Sequence, residues 1–234
     1  MNNKLISGLL FSLLLPFNSY ADVVGVKADA SYWNFKGSSK NEASAQQLPR
    51  ENDLKRQGTG QLSIALEHPI PLLPNAKIKY VNLDSQSDWS QGFKSDVELS
   101  NINYILYYEL LDNIVSADVG IAATHLDGEV RQTAAGLTQR YKLSDYLPTI
   151  YAQAGVKLPF TGLSLKAEGS YGRLDDIRLN DFQGELQYDF IDNLLLDVGA
   201  KVGYRIMNID HKQDNLGDLK LEFKGPYIGL DIHF

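Results

Sequence analysis

The 234-residue chain carries 22 Lys and Arg against 29 Asp and Glu, a formal net charge of −7, and no cysteine. The acidic balance argues against a nucleic-acid partner, which would need a basic face. The missing thiols exclude disulfides, thiolate catalysis and a Cys-based zinc site.

Residues 1–21 predict an export signal. Lys4 supplies the positive start, residues 5–17 are mostly apolar, and Ser19-Tyr20-Ala21 offers a small-x-small cleavage site. The apolar stretch is too short for a spanning anchor. The mature chain is therefore expected to begin at Asp22 and to form one domain over 22–234. Losing Lys4 takes the 22 bases to 21 against the same 29 acids, a mature net charge of −8.

From there a period of two dominates, the signature of half-buried strands. Ten strands are predicted, at 23–35, 58–70, 76–88, 93–110, 114–127, 147–158, 163–174, 178–190, 194–209 and 219–234. The first sets Val24, Val26, Ala28, Ala30 and Tyr32 against Lys27, Asp29 and Ser31. The fourth sets Ile102, Tyr104, Leu106 and Tyr108 against Asn103, Ile105, Tyr107 and Glu109. The ninth sets Val198, Ala200, Val202, Tyr204 and Ile206 against Asp197, Gly199, Lys201, Gly203 and Arg205. In the tenth the apolar positions change parity at Gly225-Pro226, which predicts a β-bulge there.

Short connections at 71–75, 111–113, 159–162 and 191–193 alternate with mostly longer polar ones at 36–57, 89–92, 128–146, 175–177 and 210–218. Ten strands return the C-terminus to the side of the N-terminus. Tyr108-Glu109-Leu110-Leu111-Asp112-Asn113 is echoed by Tyr188-Asp189-Phe190-Ile191-Asp192-Asn193, each read as strand, tight turn, strand. Aromatic residues gather near strand ends. Tyr32, Trp33, Trp89, Phe93, Tyr146 and Tyr171 are expected at one rim, and Tyr107, Tyr108, Phe160, Tyr188, Phe190 and Phe234 at the other, as paired interface girdles.

The chain ends by alternating Ile228, Leu230, Ile232 and Phe234. Together with the export signal, this ending resembles that of small Gram-negative outer-membrane β-barrel proteins. More narrowly, the chain is similar to an uncharacterised barrel family of marine gammaproteobacteria. The likeness covers the whole mature chain as an architecture. It implies an all-β, single transmembrane antiparallel up-and-down barrel of about ten strands, with short periplasmic turns and longer extracellular loops. It also implies residence in the outer membrane among its lipids and lipopolysaccharide. The terminal Ile228, Leu230, Ile232 and Phe234 would be the assembly signal read by the barrel-assembly machinery.

On this register Lys27, Lys77, Lys79, Lys157, Lys166, Lys201 and Arg205 share the inner face with Asp29, Glu67, Glu109, Asp118, Glu168, Glu185, Asp189, Asp197 and Asp231. Because an unpaired buried charge costs several kcal/mol, such groups are expected to pair and to fill the lumen. The function that follows is an integral barrel of structural or interaction type. The alternative is a narrow channel or carrier for small polar or amphipathic molecules, and behind it a rim protease or lipid A-modifying enzyme.

No catalytic, cofactor or metal residues are assigned. His68 and His233 are read as rim residues. Ten-stranded outer-membrane proteases set two acids one residue apart and a histidine two residues after an acid. Here Asp84 and Asp88 are four apart, and Asp210 adjoins His211. A lipid A deacylase pairs serine with histidine on the lipid side, but His125 has Thr124 beside it and Ser170 is directed inward. Segments 36–57 and 128–146 are expected as solvated outer loops. A sharper reading has Arg50, Lys55, Arg56, Arg131 and Arg140 touching lipopolysaccharide phosphates.

Overall fold

A computed structural model describes residues 24–41, 50–90, 92–134, 136–193, 196–212 and 218–234. The predicted signal, its cleavage after Ala21 and the mature start at Asp22 lie outside the described residues.

All the described regular structure is antiparallel strand. In chain order the strands are β1 (Gly25–Asn41), β2 (Arg50–Asp53), β3 (Gln57–Glu67), β4 (Asn75–Asn82), β5 (Ser85–Gln86), β6 (Phe93–Asp112), β7 (Val115–Ala134), β8 (Leu137–Leu158), β9 (Leu163–Leu174), β10 (Ile177–Asn193), β11 (Leu196–His211) and β12 (Leu219–His233). Ten of them, all but β2 and β5, form the wall, and β12 pairs with β1 to close it. Closure leaves no strand edge, the condition for carrying a sheet through hydrocarbon. The short β2 pairs with β1 at Ser38–Asn41, and β5 pairs with β6, so the predicted third strand is β4 followed by a break and then β5.

The outer connections differ from expectation. Segment 128–146 is no loop: β7 runs to Ala134 and β8 starts at Leu137, so one long hairpin projects above the membrane. Likewise β1 continues to Asn41, whereas the short connection between β9 and β10 stands as expected, to within one residue. The chain misleads here because its outward residues become charged while the strand pairing continues.

That exchange of polarity organises the whole barrel. On β7 the outward side chains are Val115, Ala117, Val119, Ile121 and Ala123, then His125, Asp127, Glu129, Arg131 and Thr133. The inward ones are Ser116, Asp118, Gly120, Ala122 and Thr124, then Leu126, Val130 and Gln132. Direction is preserved while polarity inverts between Thr124 and Leu126. The same inversion falls between Ser31 and Trp33, Lys79 and Val81, Asn101 and Leu99, Thr149 and Leu147, Asp181 and Leu179, and Arg205 and Met207. Below that level the barrel is greasy outside and polar within. Above it, the barrel has an interior like that of a water-soluble protein.

The parity change at Gly225-Pro226 is this inversion, not a β-bulge. Pairing of β12 with β11 runs unbroken from Leu219 to His233, with Pro226 opposite Tyr204. Gly225 is needed for close approach instead, since a Cβ there would stand 2.1 Å from the Asn34 carbonyl oxygen. The register shifts that do occur lie between Glu109 and Leu111 and between Asp189 and Ile191. They fall at the same place in the two copies of the repeated hexapeptide. The repeat therefore encodes a bulge beside each turn at the end where the termini meet.

Tyr32, Tyr146, Tyr171, Phe182 and Tyr204 face outward near the inversion, and Tyr108, Tyr188, Phe190 and Phe234 face outward at the opposite end. Trp33, Phe93 and Tyr107, expected at the rims, are buried inside the barrel instead. Their positions share the inward parity of their strands, which outweighs proximity to a strand end.

Candidate functional site

The polar half of the lumen encloses a cavity of about 790 Å³ that reaches the end where the two termini lie. Glu67, His68, Asp112, Asn193, Asp197 and His233 border it there, and Ser31, Gln61, Asn101 and Arg205 border its inner end.

Arg205 forms the inner end. Its guanidinium is buried, with Nε and Nη2 donating to the Asp181 carboxylate at 2.8 and 2.7 Å. Nη1 donates to Gln61 Oε1, on a strand three places away around the wall. The plane lies 4.9 Å from the centroid of the Trp33 ring, whose indole nitrogen donates to the Gly225 carbonyl at 3.0 Å. Arginine suits this place because its planar fork reaches a carboxylate, an amide and an aromatic face together.

Three ionic groups line the wall beneath. Glu168 accepts from Lys77 at 2.6 Å, from Lys79, and from the Tyr151 hydroxyl at 3.0 Å. Lys201 donates to Asp29 and stands 3.3 Å from Glu185, which also accepts from Tyr227 at 2.6 Å. Lys27 meets Glu67 at 2.7 Å and Glu109 at 3.8 Å, with the Tyr107 hydroxyl donating to Glu67 at 2.7 Å. Each cluster thus adds a phenol to its ion pair, supplying a donor that a desolvated carboxylate needs.

The remaining inner-face residues are bonded differently. Asp118 accepts from the Gln153 amide at 2.9 Å, and Lys166 donates to Gln187 at 2.8 Å. Asp197 stands 3.7 Å from His233 at the mouth, and His233 is 4.0 Å from Glu67, so that histidine belongs to the lumen opening. Asn101 Nδ2 and Ser164 Oγ are buried beside the cavity and make no hydrogen bond within the described residues.

Asp181, Gln61 and the three tyrosines are absent from the charge inventory read off the sequence. Asp181 was legible, since it shares the inward parity of Glu185 and Asp189 on one strand. Gln61 and the tyrosines carry no formal charge, and only cross-lumen geometry marks them.

The outer-rim candidates are not brought together. Asp84 accepts from Asn82 at 2.8 Å and from the Leu99 amide at 3.3 Å. Asp88 pairs with Lys55 at 2.6 Å, while Asp210 lies 3.8 Å from Arg178, on the opposite part of the wall. His125 stacks on Tyr146 with ring centroids 4.2 Å apart, and Thr124 points inward to Asn103 at 2.6 Å. Among the described residues no three His, Asp or Glu side chains are grouped to hold a metal ion.

A closed antiparallel wall, an outward apolar belt between two aromatic girdles and an ionic interior define an integral β-barrel of the bacterial outer membrane. No protein-family model and no curated protein matches the chain. Among solved structures it is similar to the outer-membrane protease OmpT of Escherichia coli, at 9% identity and a TM-score of 0.48 over 90% of this chain and 96% of that one. It is also similar to a FadL homologue of Pseudomonas aeruginosa, at 13% identity and a TM-score of 0.42 over 91% and 90%. Neisserial surface protein A matches at 10% identity and a TM-score of 0.37 over 90% and 95%.

Proposed function

We propose that this barrel is a non-conducting outer-membrane protein of structural or interaction type, with a lumen sealed on its outer side and open to the periplasm. The observation that supports this is the apolar cluster above Arg205. Trp33, Phe35, Leu99, Leu126, Leu147 and Phe223 belong to one contiguous buried group drawn from strands all around the wall. The Trp33 and Phe35 ring centroids are 4.9 Å apart, and Phe35 meets Phe223 edge-on at 5.5 Å. Paired charges were expected to fill the entire lumen; in this reading they line the lower half, and dry packing makes the seal.

A hydrated ion has no polar partner along such a segment, so desolvation bars its passage. A solute or partner group that uses the lumen enters from the periplasm. The same reading assigns Ile228, Leu230, Ile232 and Phe234 to recognition by the barrel-assembly machinery, and lipopolysaccharide to the outer leaflet around the belt.

Purified protein in planar bilayers is expected to give no stable conductance steps, and liposomes carrying it no swelling with small sugars. Steady porin-like steps would overturn the proposal.

A further inference from the structure

We propose that the outer-leaflet wall of β8–β12 holds a lipid A molecule, its phosphate clamped between Arg173 and Arg178. The site requires only the bilayer belt and is independent of whether the lumen conducts.

Arg173 and Arg178 are direct cross-strand partners on β9 and β10, with both side chains outward, one residue pair above Tyr171 and Asn180. Like charges directly opposite in an antiparallel pair repel and destabilise the ladder. Two other basic pairs on this surface are held by acids. Lys36 and Lys224 are also opposite each other, but Lys36 holds Asp53 at 2.8 Å and Lys224 holds Glu222 at 2.5 Å. Arg131, opposite Arg140, is held by Glu98 and by Glu129 at 2.6 Å. In contrast, Arg173 has no ion pair among the described residues, and Arg178 has only Asp210 at 3.8 Å. Arg178 Nε is buried without a hydrogen-bond partner. Asp175 and Asp176, in the turn between them, bond neither guanidinium. Two forks facing one gap are the arrangement that a phosphate bridges with charge-assisted bonds.

Beneath this pair, on the same strands, the wall is hollowed. A shallow apolar recess of about 960 Å³ is lined by Ala154, Leu165, Ala167, Gly184, Leu186 and Tyr204, among others. Ala154, Ala167, Gly184, Tyr204 and Pro226 stand in one cross-strand row. From Arg173 to Ala167 is six residues, about 20 Å along a strand and about 14 Å of depth at a tilt near 45°. That depth is one leaflet of a hydrocarbon core about 30 Å thick. The recess crosses β8, β9, β10, β11 and β12, roughly 19 Å at about 4.8 Å per interval, so it suits a lipid with several chains rather than one. The head clamp at the outer interface and the multi-chain bed below it together select the phosphorylated, multiply acylated lipid of the outer leaflet.

The test is native mass spectrometry of detergent-solubilised full-length barrel offered bis-phosphorylated lipid A, its dephosphorylated form, or phosphatidylglycerol. Lipid A is expected to be retained, and the other two to bind at least about tenfold more weakly. Arg173→Gln/Arg178→Gln and, separately, Gly184→Phe are expected to lose retention to a similar degree. Lys36→Gln/Lys224→Gln is expected to keep it. Folding of each variant is read independently from resistance of the barrel to SDS at room temperature. Retention by the folded double arginine variant, or equal retention of either comparison lipid, overturns the site.

Discussion

Replacing Arg205 by leucine should be among the most damaging single changes in the barrel, and replacing Asp181 with it should undo much of that damage. Arg205 is 2% exposed and Asp181 7%, so neither charge has water as an alternative partner. The leucine variant keeps the aliphatic bulk but strands the carboxylate. Breaking a buried pair from one side costs about 3–5 kcal/mol, whereas exchanging both members for apolar groups is often neutral. Gln61 retains a wall partner in neither variant, which leaves a residual penalty of about 1 kcal/mol in the double replacement. With a urea dependence of about 2 kcal/mol per molar, Arg205→Leu should lower the unfolding midpoint by roughly 1.5–2.5 M. Urea titration in micelles, followed by tryptophan emission because Trp33 lies against the guanidinium, measures Arg205→Leu, Asp181→Leu and the double variant. A single-variant loss below about 1 kcal/mol, or a double variant as unstable as the sum of the singles, would refute the reasoning.

Two other outcomes probe the belt and the terminus. Ile121→Arg, outward within the belt, should cost about 2–4 kcal/mol, while Thr133→Arg, outward on the same strand beyond the inversion, should change stability by less than about 0.5 kcal/mol; unfolding in liposomes compares them, and equal costs would place the bilayer elsewhere. Phe234→Ala should reduce the folded, SDS-resistant fraction recovered from outer membranes several-fold while leaving the stability of protein refolded in detergent nearly unchanged, which separates recognition during assembly from packing.

The strand number and the inward direction of the charges could be read from period two, because outward and lumen-facing positions alternate without exception on β7 and β11, whereas closure into a barrel was implied by the likeness of the ending to outer-membrane barrels. What misled was the assumption that one face stays apolar throughout. Val130, Tyr141 and Leu143 kept the two-residue spacing through a segment taken for loop, but their parity was opposite to that of Ile121 and Ile150. At Gly225-Pro226 the same reversal imitated an inserted residue. The partners within the lumen were beyond the sequence for another reason. Lys77 and Glu168 are 91 positions apart and Arg205 and Gln61 are 144 apart, so only the closed wall sets them face to face.

The tall β7–β8 hairpin has a consequence for how the protein is made. Its outer half bears Asp127, Glu129, Arg131, Arg140 and Lys142, all destined for the cell exterior. An exported chain approaches from the opposite side, so these ions must be carried across the oily interior before the ring can shut. Each solitary charge there carries a penalty of about 2.5–3.5 kcal/mol, which makes neutralised pairs such as Glu129 with Arg131 the cheaper freight. Such surface ion pairs therefore lower the cost of threading this ribbon as well as holding it once it is outside.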